Sequence, residues 1–178
     1  MNQNGTNAVQ FYVSASASGC GGEGAAQWNG VMTQNVWQQM VVTFDGTLGT
    51  GSKAQLYING VLQTKSSDSL SLAATGSFTT DPLTVGTLDG ISPKWPFDGY
   101  LEEARIYNRI LTQAEINTLA LSRSRVNITE GLIFYEPLDD GKVGTVTNNA
   151  TLFDRSGYGN TGTVTNSPTW IQGVLNYQ

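Results

Sequence analysis

The chain has 178 residues, of which only 13% are charged, and it carries a formal net charge of −5 with no histidine and a single cysteine. That length suits one sandwich-sized domain, or parts of two, with a real core to bury. An acidic balance without any Lys/Arg block argues against nucleic acid or an anionic membrane as partner, and no apolar run approaches the ~18 residues of a membrane span. Plentiful Gly, Ser, Thr and Asn point to many short strands and turns, as in extracellular β-proteins.

The opening, MNQNGTNAVQ, is polar and has no signal-peptide core. VQFYVSASA at 9–17 alternates and predicts a strand. Residues 18–29 predict a glycine-rich loop with Trp28 as its one large apolar residue. The GCGGEG within it lacks the Lys-Ser/Thr ending and following helix of a phosphate cradle. Cys20 is there a small loop residue or the partner of an intermolecular disulfide. WQQMVVTF at 37–44 predicts a strand ending at Asp45-Gly46. Strands at 54–58 and 61–63 flank Asn59-Gly60, two residues that tolerate the positive φ of a type I′ hairpin turn. LTVGTL at 83–88 predicts another strand, and 91–95 a loop.

The organising stretch is FDGYLEEARIYNRILTQAEINTL at 97–119. Residues 97–108 alternate, with Tyr100, Ala104 and Ile106 on one face and Leu101, Glu103, Arg105 and Tyr107 on the other. Thr112 and Glu115 then form the S/T-x-x-E pattern of a capping box, with Leu111 and Ile116 placed as a hydrophobic staple. Ile116, Leu119 and Ala120 give a turn-spaced apolar stripe, so a helix is predicted over 112–121. LSRSRVN at 121–127 is polar and reads as a linker.

The 97–119 run resembles the closing segment of laminin-G-like, concanavalin A-like jelly-roll domains, F-x-G-x-I-D-E-V-R-I-Y-N-R-x-L-S followed by a short helix. The pairs WQQMVVTFDG and LYINGVL are similar to that family's neighbouring antiparallel strands. GLIFYEPLDD at 131–140 resembles its opening strand, with Glu136 in place of a tryptophan. DRSGYGNTGT at 154–163 and SPTWIQGVLNY at 167–177 are similar to its D-x-S-G-x-G-N-x-G-T turn and P-T-W-x-x-G-x-x-L-x-F strand. The resemblance implies an all-β fold, an antiparallel β-sandwich of jelly-roll type with one short helix.

The segments come in an unexpected order. Residues 1–121 carry the late strands and helix, 122–130 a linker, and 131–178 the early strands. Three explanations compete: a window cut from tandem jelly rolls, a circular permutant completed by its own tail, or a tail that completes a neighbouring sandwich. An incomplete sandwich exposes long edges and an apolar face, which favours completion. Donation to a neighbour is the reading preferred here, and between identical copies a head-to-tail contact that does not close makes a filament.

Catalysis is poorly supported. Without histidine there is no Ser-His-Asp relay, and one cysteine makes no Cys-cluster metal site. The adjacent pairs Glu102-Glu103 and Asp139-Asp140 point to opposite strand faces, unlike the E-x-D-x-x-E of related-fold glucanases. The turn from Asp154 to Asn160 has an acidic start, carbonyl-converging glycines and an amide side chain, which suits structural calcium; the plain alternative is an Asx turn. The resemblance implies that Glu102 or Glu103 would complete such a site. Trp28, Trp95, Tyr100 and Tyr158 lie in or near loops and are candidate sugar platforms or rim packing, whereas Trp37 and Trp170 read as core. Asn4, Asn127 and Asn149 begin N-x-S/T sequons and are candidate glycosylation sites.

The sequence therefore predicts a non-catalytic extracellular or cell-surface module that self-associates by strand exchange into a polymer, filament or array. The alternative is a carbohydrate-binding or adhesion module of a larger secreted protein. Neither reading involves nucleic acid or membrane insertion.

Overall fold

The computed structural model describes residues 7–12, 24–70, 83–86, 97–122, 128–145 and 148–172. Two compact units divide the chain: Met1–Pro82 with Ile110–Asn127, and Leu83–Arg109 with Ile128–Gln178.

In the first unit the antiparallel strands β1 (Val9–Tyr12), β2 (Ala25–Trp28) and β6 (Ser67–Asp68) make one sheet in the order β1-β2-β6. A second holds β3 (Met40–Phe44), β4 (Ala54–Ile58) and β5 (Val61–Leu62). Ala26 and Trp28 from the first sheet meet Ala54, Leu56 and Ile58 from the second, with Leu70 beside them, in one buried cluster. Phe11 and Phe44 pack against it with ring centroids 5.6 Å apart and tilted by 44°, a favoured aromatic geometry. Each large apolar side chain buried this way contributes about 1.5–3 kcal/mol.

The hairpin at Asn59-Gly60 forms as expected. Both residues have positive φ, +51° and +81°, and Ile58 pairs with Val61 across the turn. Helix α1 (Gln113–Leu121) follows its predicted cap: the Glu115 amide donates to Thr112 Oγ1, and the Thr112 amide donates to the Glu115 carboxylate. Leu111, Ile116 and Leu119 are buried. The helix start is tied to the hairpin by Gln113 Nε2 donating to the Gly60 carbonyl at 2.9 Å. A Cβ on Gly60 would lie 3.0 Å from the Asn117 side-chain oxygen, so glycine serves both the turn and the helix contact.

Several expectations are corrected. The predicted loop at 18–29 contains β2, and Trp28 is fully buried at its end rather than displayed as a platform. The strand predicted over 37–44 starts only at Met40. Residues 83–86 are irregular. The long strand at 97–108 contracts to β7 (Ala104–Tyr107), because Glu103 adopts φ +61°, which no extended strand accommodates.

The second unit pairs β7 antiparallel with β8 (Leu132–Glu136), matching Ala104 to Glu136, Arg105 to Tyr135 and Ile106 to Phe134. A two-stranded ribbon, β9 (Thr151–Leu152) with β10 (Gly162–Thr163), lies in the same unit. Of the strand expected over 167–177, residues 173–177 lie outside the described residues and 167–172 keep only an isolated bridge at Thr169, lying against 144–145: the Gly144 amide donates to the Trp170 carbonyl and the Trp170 amide to the Thr145 carbonyl. The Trp170 indole covers Gly141, where any Cβ would clash with the ring. The described residues are thus mostly strands in antiparallel sheets, packed face to face as a sandwich in the first unit, with one short helix among them.

Candidate functional site

Strand β8 has two edges, and different chemistry covers each. On one edge it pairs with β7. On the other, the turn that starts at Asp154 takes the place of a neighbouring strand. The Tyr135 amide donates to Asp154 Oδ1 at 3.0 Å, the Arg155 amide donates to the Tyr135 carbonyl at 2.8 Å, and Asn160 Nδ2 donates to the Ile133 carbonyl at 2.8 Å. Because both backbone groups of Tyr135 point toward this turn, Tyr135 and Arg105 form a non-hydrogen-bonded antiparallel pair, the kind in which side chains approach most closely.

That closeness is used. The Arg105 guanidinium stacks 4.1 Å from the Tyr135 ring centroid, and both Arg105 and the Tyr135 hydroxyl donate to Glu103 Oε2, at 2.6 and 2.9 Å. The Arg105 side chain is only 7% exposed, so this ion pair is shielded from water and counts for more than a surface pair. Burial, and then the bond to Glu103, push the Tyr135 hydroxyl above its ordinary value. The φ of +61° at Glu103, which ends the strand early, lies at the residue whose carboxylate reaches across to Tyr135.

Asp154 is saturated. Its Oδ1 accepts from the amides of Tyr135 and Ser156, and its Oδ2 from the Ser156 hydroxyl and the Asn160 amide, all within 2.8–3.0 Å. Burial by itself would raise its pKa; the three backbone and one hydroxyl donors outweigh this and lower it from 3.8 to about 2. A carboxylate offers about four lone-pair sites, and four donors fill them here. Asn160 has turned its amide nitrogen to a carbonyl, and Glu103 is engaged with Arg105 and Tyr135. Glu102 is exposed. Among the described residues no three Asp, Glu, His or Cys side chains gather as a metal-holding group. Asp154, the acidic start of the turn, thus spends its oxygen lone pairs on protein donors rather than offering them to a calcium ion.

The remaining candidates separate clearly. Tyr100 and Tyr158 are 63% and 67% exposed, and the Tyr158 amide is held by the Ser156 hydroxyl. Trp95 lies outside the described residues, as do Cys20 and the sequon residues Asn4 and Asn127. Asn149 is exposed at φ +61°, its amide donating to the Val164 carbonyl. Sequence reasoning missed the Glu103–Arg105–Tyr135 cluster; the alternation that puts Glu103 and Arg105 on one face was a partial signal, but Tyr135 joins them only through the β7–β8 register.

The family model Laminin_G_3, described as the concanavalin A-like lectin/glucanases superfamily, matches residues 1–117. The chain belongs to this family. No curated protein and no solved structure matches the chain. Membership in the laminin-G-like family fits the antiparallel sandwich and makes the chain a binding or adhesion type of domain. No helix among the described residues is long and apolar enough to cross a membrane.

Proposed function

We propose that this laminin-G-like chain is a non-catalytic extracellular structural and adhesion module, and that the β7–β8 pairing is a joint exchanged between copies to build a polymer or surface array. One observation carries the reading. Strand β7 precedes the helix, its partner β8 follows it, and residues Ile110–Asn127 between them belong to the other compact unit. The strand that completes β7 is therefore supplied by a separate stretch of chain. A second copy can supply the same stretch with the same register, the same Arg105–Tyr135 stack and the same Glu103 bonds, so exchange conserves every contact of the joint. The saturated turn at Asp154 covers the other edge of β8, which directs association to β7 and away from unspecific edge pairing.

Light scattering and electron microscopy across a concentration series test this. Species that grow in mass with concentration are expected; monomers alone at high concentration contradict it. A second reading, glycan binding, is favoured by Tyr100 and Tyr158, exposed rings of the kind that stack on sugars. A glycan screen with no binder, with and without calcium, disposes of that reading.

A further inference from the structure

Glu136 closes β8, and its side chain is buried: the residue is 2% exposed. Its Oε1 accepts from the Leu138 amide at 3.0 Å. Its Oε2 is buried and meets no donor among the described residues. Leu138, which supplies the single bond, is held at φ +61°, a left-handed conformation that is strained for leucine. The end of β8 is thus a buried acid, half satisfied, gripping a strained residue.

The charges around it do not cure this. Across the pair on β7 stands Ala104, which is uncharged. Glu103, Arg105 and Tyr135 engage one another on the opposite face of the pleat. The charged groups that act on Glu136 are Asp140, Arg155 and Asp139, and Arg155 is already committed to both aspartates at 2.8 and 2.9 Å. Among the described residues no cation bonds Glu136; Arg155, held by the two aspartates, acts on it only through space.

We infer that Glu136 is a proton-operated latch on the β7–β8 joint: as a neutral acid it lies buried at the end of β8, and when it releases its proton to solvent it opens the chain at 136–138. Burial, foremost, raises its pKa above the ordinary 4.5 in the folded chain. The sign follows. A raised acid contributes stability that is fully present below the unfolded value and is lost as pH rises through the folded value. The Glu136 contribution to the joint is therefore greatest below its unfolded value and is lost toward neutral and basic pH. This concerns the strength of the joint within one chain and stands whether or not copies exchange it.

The test is the thermal midpoint of the full chain and of its Glu136→Gln variant from about pH 4 to about pH 8. The wild type is expected to lose stability relative to the variant as pH rises, because the amide does not ionise. Parallel profiles overturn the inference. If the variant does not fold, the wild-type carboxyl is titrated directly by carbon NMR, together with amide exchange at 136 and 138. A midpoint above 4.5, with exchange accelerated about tenfold beyond the chemical rate on crossing it, supports the latch. A midpoint at or below 4.5, or exchange that follows the chemical rate alone, overturns it.

Discussion

Replacing Asp154 by alanine is the sharpest single perturbation of the β8 edge. The substitution removes four accepted hydrogen bonds at once, three of them from backbone amides. The lowering of its pKa from 3.8 to about 2 corresponds at face value to about 2.5 kcal/mol. Asp154 is only partly buried, and solvent screening reduces that to about 1–2 kcal/mol. Alanine also leaves the part-buried Tyr135 amide without its acceptor, which costs about 1 kcal/mol more. The expected loss is therefore about 2–3 kcal/mol at neutral pH, read from urea denaturation followed by circular dichroism. The pH dependence supplies a second check. A depressed carboxylate stabilises above its unfolded value of 3.8 and loses that contribution as pH falls through about 2. Asp154→Ala should abolish this part of the acid transition. A variant within about 0.5 kcal/mol of wild type at neutral pH, with its acid limb unchanged, would refute the view that this carboxylate holds the edge of β8.

Three further expectations follow from the same structure. Chelation, or added calcium, should leave the melting temperature unchanged, since the Asp154 oxygens already meet four donors; a stabilisation that saturates with calcium would restore the metal reading. Tyr135→Phe removes one hydroxyl bonded to a charged group but keeps the ring under Arg105, so denaturation should show a loss of about 1–2 kcal/mol, and Tyr135→Ala a larger one. Ile116→Ala empties a fully buried site on α1 and should cost about 2–5 kcal/mol, whereas Thr112→Ala, which removes only the cap, should cost about 0.5–2 kcal/mol in the same assay.

What could be read from the sequence was mostly local. The capping box at Thr112 and Glu115 and the turn at Asn59-Gly60 each close within four residues, so composition at those positions suffices to specify them. The family segments around 97–119 and 131–140 carried the sandwich class, and β7 and β8 lie within them. What was hidden depends on partners far along the chain. The four residues of β2, with two alanines and a glycine-rich approach, show little alternation; the strand exists because β1 and β6 pair with it and Trp28 fills the core. Asp154 read as a local turn residue or a metal ligand, but one of its donors is Tyr135, nineteen positions earlier. Glu103 read as a strand residue, and no pattern along the chain announces its positive φ. Along the sequence Glu136 stands out only as a departure from a tryptophan; its burial and its unmet oxygen are consequences of packing.

The joint itself is open to direct chemical measurement. Arg105 and Tyr135 are Cα partners in a non-hydrogen-bonded pair, so Arg105→Cys with Tyr135→Cys, in a Cys20→Ser background, places two thiols within reach of one disulfide. Oxidation of a concentrated sample followed by non-reducing electrophoresis should give a cross-linked monomer together with a ladder of dimers and longer species, the ladder growing with concentration. Absence of any disulfide would contradict the β7–β8 pairing, and cross-linked monomer alone at every concentration would contradict its exchange between copies.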